Sequence, residues 1–165
     1  MCLFILLVVF SGNAAPATSD SALFTRASEL YEAKNDSAAA ELFFRLAVEF
    51  PNSERAPEAL YYSGTLFYKL KRFPEAAKAF GRYREFYPES KAIKEVIHLL
   101  GMSFFGMGKY QEAIDAFNEE LIRFPDTDLR SEALKFMGMS YIMIGDTARG
   151  SEPLKKFLGE GEPGY

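Results

Sequence analysis

The chain has 165 residues, of which 48% are apolar and 25% charged, with a formal net charge of −4 and a pI of about 5.2. This composition is typical of a folded globular domain and excludes a chain that is disordered throughout. Binding along a phosphate backbone needs clustered Lys and Arg, and the sequence contains no such cluster. We therefore expect no nucleic-acid partner.

The N-terminal segment differs from the rest of the chain. Residues 1–10 are uncharged and apolar, and the small-residue motif APA follows at 15–17. Such a run is too short to span a bilayer as a helix and is typical of a secretory signal. We expect residues 1–17 to be a signal peptide or hydrophobic leader that contains Cys2, the single cysteine. A buried N-terminal strand or helix stays open, because no Lys or Arg precedes the apolar run.

From residue 20 onward the sequence repeats itself every 37 residues without gaps. Four sets of residues share this spacing: Ala39, Ala76 and Ala113; Phe43, Phe80 and Phe117; Pro51, Pro88 and Pro125; Gly64, Gly101 and Gly138. A fixed period in this range is typical of a stacked helical array, in which each unit buries its apolar face against its neighbours.

Each period is predicted to contain two helices, since apolar residues recur at helical spacing twice in each unit. In the second unit these helices cover about residues 54–70 and 74–87. The small residue Gly64 of the first helix should allow a close approach of the second, where Phe80 fills the remaining space. Helix pairs of this kind stack into an all-α array.

Several residues are expected to begin or end the helices. Proline disfavours helix at the residue before it, so Pro51, Pro88 and Pro125 should end the second helices. Two residues later come the expected N-caps of the next helices, Ser53, Ser90 and Thr127. Gly108 and Gly145 occupy the turns within two pairs and suit left-handed C-caps.

This pattern resembles the tetratricopeptide repeat family. The motif reads Gly64/Phe67/Ala76/Phe80/Pro88, Gly101/Phe104/Ala113/Phe117/Pro125 and, more loosely, Ala27/Leu30/Ala39/Phe43/Pro51. A fourth unit begins at Leu134 and degrades at Gly150 and Leu154. The resemblance implies an α-solenoid of about four tetratricopeptide-like helix hairpins over residues 20–158. Residues 159–165 are rich in Gly and Pro and are expected to be a flexible tail.

A longer unit that closes with aromatic-Pro-x-Ser/Thr, as at 50–53, is similar to bacterial envelope members of this family, of the outer-membrane assembly lipoprotein and Tol–Pal coordinator type. Together with the leader, this resemblance implies a location in the periplasm or cell envelope. Membrane contact is then expected only through the leader, if it is uncleaved.

No residue pattern indicates chemistry. His98 is the single histidine and is expected to be a satisfied or groove-facing side chain, because a zinc site needs more ligands and a catalytic site needs converging partners. Glu119 and Glu120 are adjacent, point about 100° apart on a helix and are expected on a solvated face. We expect no catalytic residue, cofactor, metal or small-molecule substrate. An enzyme of envelope polymers stays as a hypothesis supported only by the presence of carboxylates.

In the tetratricopeptide family the first helices line a concave groove, and the resemblance implies a partner-binding site there. The matching residues are Phe24, Ser28 and Tyr31; Tyr61, Thr65 and Tyr68; His98, Met102 and Phe105; Lys135, Met139 and Ile142. Aromatic and Met side chains suit an amphipathic helix or an extended apolar peptide. Met residues packed in the core are the alternative.

The carboxylate clamp of the family's chaperone-binding members is absent, since Phe24, Ser28, Tyr62, Glu95 and Leu99 stand at its places. We therefore expect no binding to acidic C-terminal tails. The sequence thus predicts a non-enzymatic protein-interaction scaffold of the bacterial cell envelope. The alternative is a membrane-anchored adaptor subunit of an outer-membrane protein assembly or cell-division complex.

Overall fold

The structure, a computed structural model, describes residues 19–160. These residues form eight α-helices and no strand. The helices are α1 (Asp20–Glu32), α2 (Asp36–Glu49), α3 (Ala56–Lys69), α4 (Phe73–Phe86), α5 (Ile93–Gly106), α6 (Tyr110–Arg123), α7 (Arg130–Met143) and α8 (Thr147–Glu160). Each helix packs against the next one in the chain, which gives four stacked hairpins. The all-α solenoid is confirmed.

The helices follow the period of the sequence. Three first helices, α3, α5 and α7, begin at residues 56, 93 and 130, and all four second helices begin 37 residues apart, at 36, 73, 110 and 147. The degraded fourth unit still forms its hairpin, although Pro153 lies within α8. Equal spacing puts equivalent residues at equivalent places in successive hairpins.

The close approach predicted within each pair is present. A Cβ added to Gly64 would lie 2.6 Å from the ring of Phe80, and one added to Gly101 would lie 2.8 Å from the ring of Phe117. Both phenylalanines are fully buried. In the fourth unit Gly138 faces Leu154 instead, at 2.6 Å, so the same gap is filled by a smaller side chain.

The second helices end where the sequence predicts, at an aromatic C-cap immediately before proline. The amide of the C-cap Phe50 donates to the carbonyl of Leu46, and Pro51 follows. Tyr87 and Phe124 form the same cap in the next two units.

The expected N-caps of the first helices were wrong. Helix α3 begins at Ala56 with Arg55 as its N-cap, and no side chain bonds to its free amides there. The Ser53 hydroxyl accepts a hydrogen bond from the amide of Arg55 at 3.1 Å, inside a separate turn between proline and helix. Ser90 and Thr127 likewise precede the N-caps Ala92 and Leu129 by two residues. Each of these first helices therefore begins only after the turn that follows the proline.

The turns within the pairs use left-handed backbone at the same position in every unit. Gly108 and Gly145 have φ of 72° and 85°, as predicted. Lys34 and Lys71, at the equivalent positions of the first two units, have φ of 61° and 58°. The repeat therefore imposes this conformation even where the residue has a Cβ, which costs free energy.

The leader predicted at 1–17 lies outside the described residues. At the other end α8 continues to Glu160, two residues into the segment expected as a flexible tail, and 161–165 lie outside the described part of the chain. Within residues 19–160, every helix falls short of the length and apolarity that crossing a membrane requires.

Candidate peptide-binding groove

The first helices of successive hairpins lie next to one another. Helix α5 contacts α3 on one side and α7 on the other, in addition to the second helices that pack against it. We call the surface of α1, α3, α5 and α7 that contains the predicted groove residues the groove face. It carries the residues that the sequence predicts as a partner site.

At the N-terminal end the groove face is aromatic. Phe24 is partly buried, meets Phe43 edge to face at 5.4 Å, and is covered by the guanidinium of Arg55 at 4.7 Å. Tyr31 is 41% exposed and lies 6.3 Å from the ring of Tyr62. Only the exposed parts of these rings are free to contact a partner.

In the second unit Tyr61 and Tyr68 are partly buried. The Tyr61 hydroxyl donates to the carboxylate of Glu95 on α5 at 2.7 Å. Burial, followed by the hydrogen bond and charge of Glu95, raises the pKa of Tyr61 to about 12. Burial, with a smaller effect of the Glu132 charge, raises the pKa of Tyr68. Both tyrosines are therefore neutral donors, while Thr65 bonds to the Tyr61 carbonyl of its own helix.

Towards the C-terminus the groove face becomes aliphatic and more exposed. Met102 and Phe105 are partly buried, and the Phe105 ring meets that of Phe136 at 4.9 Å. Met139 and Ile142 are 36% and 44% exposed. The ammonium of Lys135 lies above the rings of Phe136 and Phe157, 5.5 and 5.9 Å from their centroids. Met102 thus packs against the core, whereas Met139 is exposed on the surface.

His98 does not belong to the free surface. It is 4% exposed, its Nδ1 lies 2.9 Å from Glu120 of α6, and its Nε2 lies 3.4 Å from Glu132 of α7. Burial lowers the pKa of His98, but Glu120 and Glu132 raise it by more, so that it lies above 6.5. A histidine with a carboxylate at each ring nitrogen is satisfied as the cation. The expectation of a satisfied side chain is confirmed, while its role as a groove contact stays a prediction.

The solvated face expected for Glu119 and Glu120 was wrong for Glu120. Glu119 is partly exposed and bonds to Arg84 and Arg123. Glu120 is fully buried, and one of its oxygens, Oε1, has no hydrogen-bond partner within the described chain. The reason is its register: the equivalent residues of the other units are apolar or aromatic, namely Leu46, Tyr83 and Phe157. A carboxylate therefore stands at a core position.

Sequence reasoning also missed a row of acids. Glu58, Glu95 and Glu132 occupy one position of α3, α5 and α7, each 37 residues from the next. Two contacts place this row beside the groove residues: Tyr61 donates to Glu95, and His98 lies against Glu132. In both cases a residue of one unit meets the acid of the next. The signal that identifies the row is the 37-residue register of the sequence itself.

Among residues 19–160, no group of His, Cys, Asp and Glu side chains is arranged to hold a metal ion. The absence of binding to acidic C-terminal tails stays a prediction. The surface as described offers apolar contact, neutral tyrosine hydroxyls and exposed carboxylates, which are the elements of peptide recognition.

Comparison with solved structures gives the same fold. MamA from Desulfovibrio magneticus RS-1 is 17% identical over 86% of this chain and 75% of its own, with a TM-score of 0.66. MamA of AMB-1 is 19% identical over 90% and 78%, with a TM-score of 0.73. MamA of MSR-1 is 18% identical over 88% and 78%, with a TM-score of 0.70. Identities this low support the fold alone. Comparison with curated protein sequences gives no significant match.

Two family profiles match the sequence. A tetratricopeptide repeat profile (TPR_6) covers residues 95–127, most of the third hairpin. The profile described as Outer membrane lipoprotein (YfiO) covers residues 16–107, more than half of the chain. The chain is therefore a tetratricopeptide repeat protein and belongs to the outer membrane lipoprotein family YfiO.

Proposed function

We propose that this protein is a non-enzymatic scaffold of the bacterial cell envelope that binds a partner protein or peptide on its groove face. The observation that carries the proposal is the exposed apolar surface at the C-terminal end of that face. Met139, Ile142 and Met143 are 36%, 44% and 57% exposed and lie on one helix. Contiguous exposed apolar side chains with polar neighbours are typical of interaction sites.

The exported location rests on two observations. The matching family is described as an outer membrane lipoprotein family, and the sequence begins with an apolar segment of signal type. A tetratricopeptide fold in that compartment supports a role in holding other proteins together. Partner binding on the groove face then follows from the fold, since the first helices present their side chains on a common surface.

The test compares two double variants in affinity capture from a cell-envelope extract. Met139→Ser with Ile142→Ser removes apolar surface from the groove face. Ile122→Ser, combined with Val48→Ser, removes similar surface from second helices, where these side chains are 71% and 43% exposed. Covering half of an aliphatic side chain contributes about 1 kcal/mol, so the groove variant should lose binding by about thirtyfold and the control should lose none.

Captured proteins are then purified and titrated directly against the wild type and both variants. Selective loss in the groove variant supports the proposal. Equal binding by all three proteins would contradict it and move the interface to another surface. Circular dichroism of each variant shows whether the helices are intact.

The alternative is a membrane-anchored adaptor subunit of an outer-membrane protein assembly complex, and the outer membrane lipoprotein description of the family favours it. Mass spectrometry of the mature N-terminus separates the two. A start near Thr18, with the protein in the soluble periplasmic fraction, supports the free scaffold. A retained leader with recovery in the membrane fraction supports the anchored adaptor.

A further inference from the structure

We propose that the partner segment on the groove face is an amphipathic α-helix with one apolar side and a line of Lys or Arg residues beside it. This inference rests on the proposed function, because it concerns the same surface. It adds the chemistry and conformation of the partner, which follow from how charge and apolar surface are arranged on the first helices.

Three acids lie at one edge of the groove face. Glu58, Glu95 and Glu132, which we call the acidic row, lie near the N-terminal ends of α3, α5 and α7. Glu95 and Glu132 are both exposed while also touching Tyr61 and His98 of the preceding unit. Their carboxylates therefore line one edge of the groove face.

Within the described part of the chain, the acidic row forms no ion pair with Lys or Arg. Among residues 19–160, Glu95 forms no ion pair, and its hydrogen-bond partner is a neutral hydroxyl. Glu132 shares His98 with the buried Glu120, so one imidazolium faces two carboxylates.

Four cations of the first helices and their N-caps are engaged elsewhere. Lys94 is paired with Asp128, and Lys69 with Asp36. Lys135 leans over two rings next to α8, and Arg55 packs over Phe24 beside Asp20. Within residues 19–160, Glu95 and Glu132 on α5 and α7 therefore form no ion pair with Lys or Arg.

A row of apolar side chains runs beside the acidic row. Tyr68, Phe105 and Ile142 lie at one position in the C-terminal halves of the same three helices, with Met102 and Met139 beside them. Their exposure is greatest on α7, where Met143 adds a further exposed side chain. The groove face thus has an acidic edge and an apolar edge that run in parallel across the first helices.

The separation of the two rows matches the width of a helix. On α5, Met102 and Phe105 follow Glu95 by seven and ten residues, which at 1.5 Å per residue is about 10–15 Å along the helix axis. An α-helix with its side chains is about 10–12 Å wide, so one helix lying across the first helices reaches both rows. An extended segment points successive side chains to opposite sides, so it would reach both rows only if cationic and apolar residues alternated along it.

The spacing of the acids fixes the spacing of the partner's cations. Packed neighbouring helices lie about 10 Å apart, so Glu95 and Glu132 are separated by about that distance across the face. A partner helix advances about 10 Å in seven residues. Lys or Arg at intervals of seven, flanking an apolar stripe, would therefore meet successive acids.

The test uses blocked helical peptides of about three heptads with Leu along one side. One carries Lys at every seventh position beside that side, a second carries Glu there, and a third repeats the Lys peptide with a central Pro that breaks the helix. Binding to the full chain is measured by fluorescence anisotropy. We expect the Lys peptide to bind at least about tenfold more tightly than either of the others, and more weakly as salt is added.

Paired charge variants then locate the effect. Glu95→Gln with Glu132→Gln should abolish the preference for Lys over Glu. Glu85→Gln with Glu89→Gln makes the same charge change at exposed acids on or just after α4, and should leave the preference intact.

Two results would overturn the inference. Equal binding of the Lys and Glu peptides would show that charge does not select the partner. Tighter binding of the Pro-containing peptide would show that the partner is extended. In both cases the groove function stands if Met139→Ser with Ile142→Ser still abolishes binding. If that variant binds both the captured partner and the peptides normally, the proposed function itself fails.

Discussion

The buried pair formed by His98 and Glu120 provides a sharp test of the repeat register. The two side chains are 5% and 0% exposed and bond at 2.9 Å. At the equivalent positions the first unit has Phe24 and Leu46. Replacing the pair by His98→Phe with Glu120→Leu should therefore give the third hairpin an apolar contact that the fold already accommodates elsewhere.

The single substitutions should differ from the double one. His98→Phe leaves the Glu120 carboxylate buried without its partner, which should cost about 3–5 kcal/mol. Glu120→Leu should cost less, about 1–3 kcal/mol, because the imidazole can release its proton or keep Glu132. The double variant should be as stable as the wild type or more stable by up to about 4 kcal/mol, since apolar replacement removes the desolvation cost of both charges.

The pair also predicts the pH dependence of stability. The pKa of His98 is raised above 6.5 in the folded state. A raised pKa stabilises the fold fully at pH values below 6.5, and this contribution is lost as the pH rises through the folded-state pKa. The wild type should therefore lose stability relative to the double variant as the pH rises above 6.5.

Urea unfolding followed by circular dichroism, at a series of pH values on both sides of 6.5, measures both effects. The matched reference is the double variant, which keeps Glu132 and every exposed group. A cost below about 1 kcal/mol for His98→Phe would refute the buried ion pair. So would a wild type that gains stability over the double variant as the pH rises.

Three further predictions concern the packing and the turns, and urea unfolding measures each. Phe80→Ala should destabilise the chain by about 3–5 kcal/mol, and a loss near zero would show that the ring is not a core contact. Gly64→Ala should cost about 1–3 kcal/mol because its Cβ would meet Phe80, whereas Gly81→Ala, with nothing within 4 Å, should stabilise α4 slightly. Lys71→Gly should stabilise the second turn by up to about 1 kcal/mol and Gly108→Ala should destabilise the third by about 1–2 kcal/mol; the opposite signs would contradict the left-handed geometry.

The parts of the fold that the sequence predicts are those set by local rules repeated in register. Gly64 and Phe80 are 16 residues apart, within one hairpin, and the same pair recurs as Gly101 and Phe117. Repetition turns a weak local signal into a specific one, because one small residue opposite one large residue explains three units at once. The helix ends before proline were predictable for the same reason.

The N-caps were missed because two local rules compete after each proline. Ser53 has the right chemistry for an N-cap, and its hydroxyl does accept a backbone amide, that of Arg55. The bond closes a short turn, however, and the helix begins only at Ala56. Propensity identifies the capping residue but not the number of residues in the turn that it caps.

The Glu120 error has a different cause. A Glu in an amphipathic helix is normally solvated, and its burial here depends on His98, which is 22 residues earlier on another helix. Local periodicity carries no information on such a partner. Comparison of equivalent positions in the repeat units carries this information, since a polar residue at a position that is otherwise Leu, Tyr or Phe indicates a buried polar pair. The same comparison of units identifies the acidic row.

The shared carboxylate Glu132 connects this core pair to the groove face. It faces His98 from α7 while Glu120 faces it from α6, and it is half exposed. A partner cation bound to Glu132 would weaken its hold on the imidazolium and lower the pKa of His98. Because binding and proton release are linked reciprocally, the affinity for a cationic helix should then rise as the pH rises through the folded-state pKa of His98.

The affinity and the stability of the third hairpin should therefore respond to pH in opposite directions. The Lys peptide, which contains no histidine and has blocked termini, is titrated against the wild type and against His98→Phe with Glu120→Leu at pH values on both sides of 6.5. The wild type should bind more tightly at the higher pH, while the double variant should bind with constant affinity because it retains Glu132 but has no proton to release. An affinity that changes equally in both proteins would show that Glu132 does not couple the two sites.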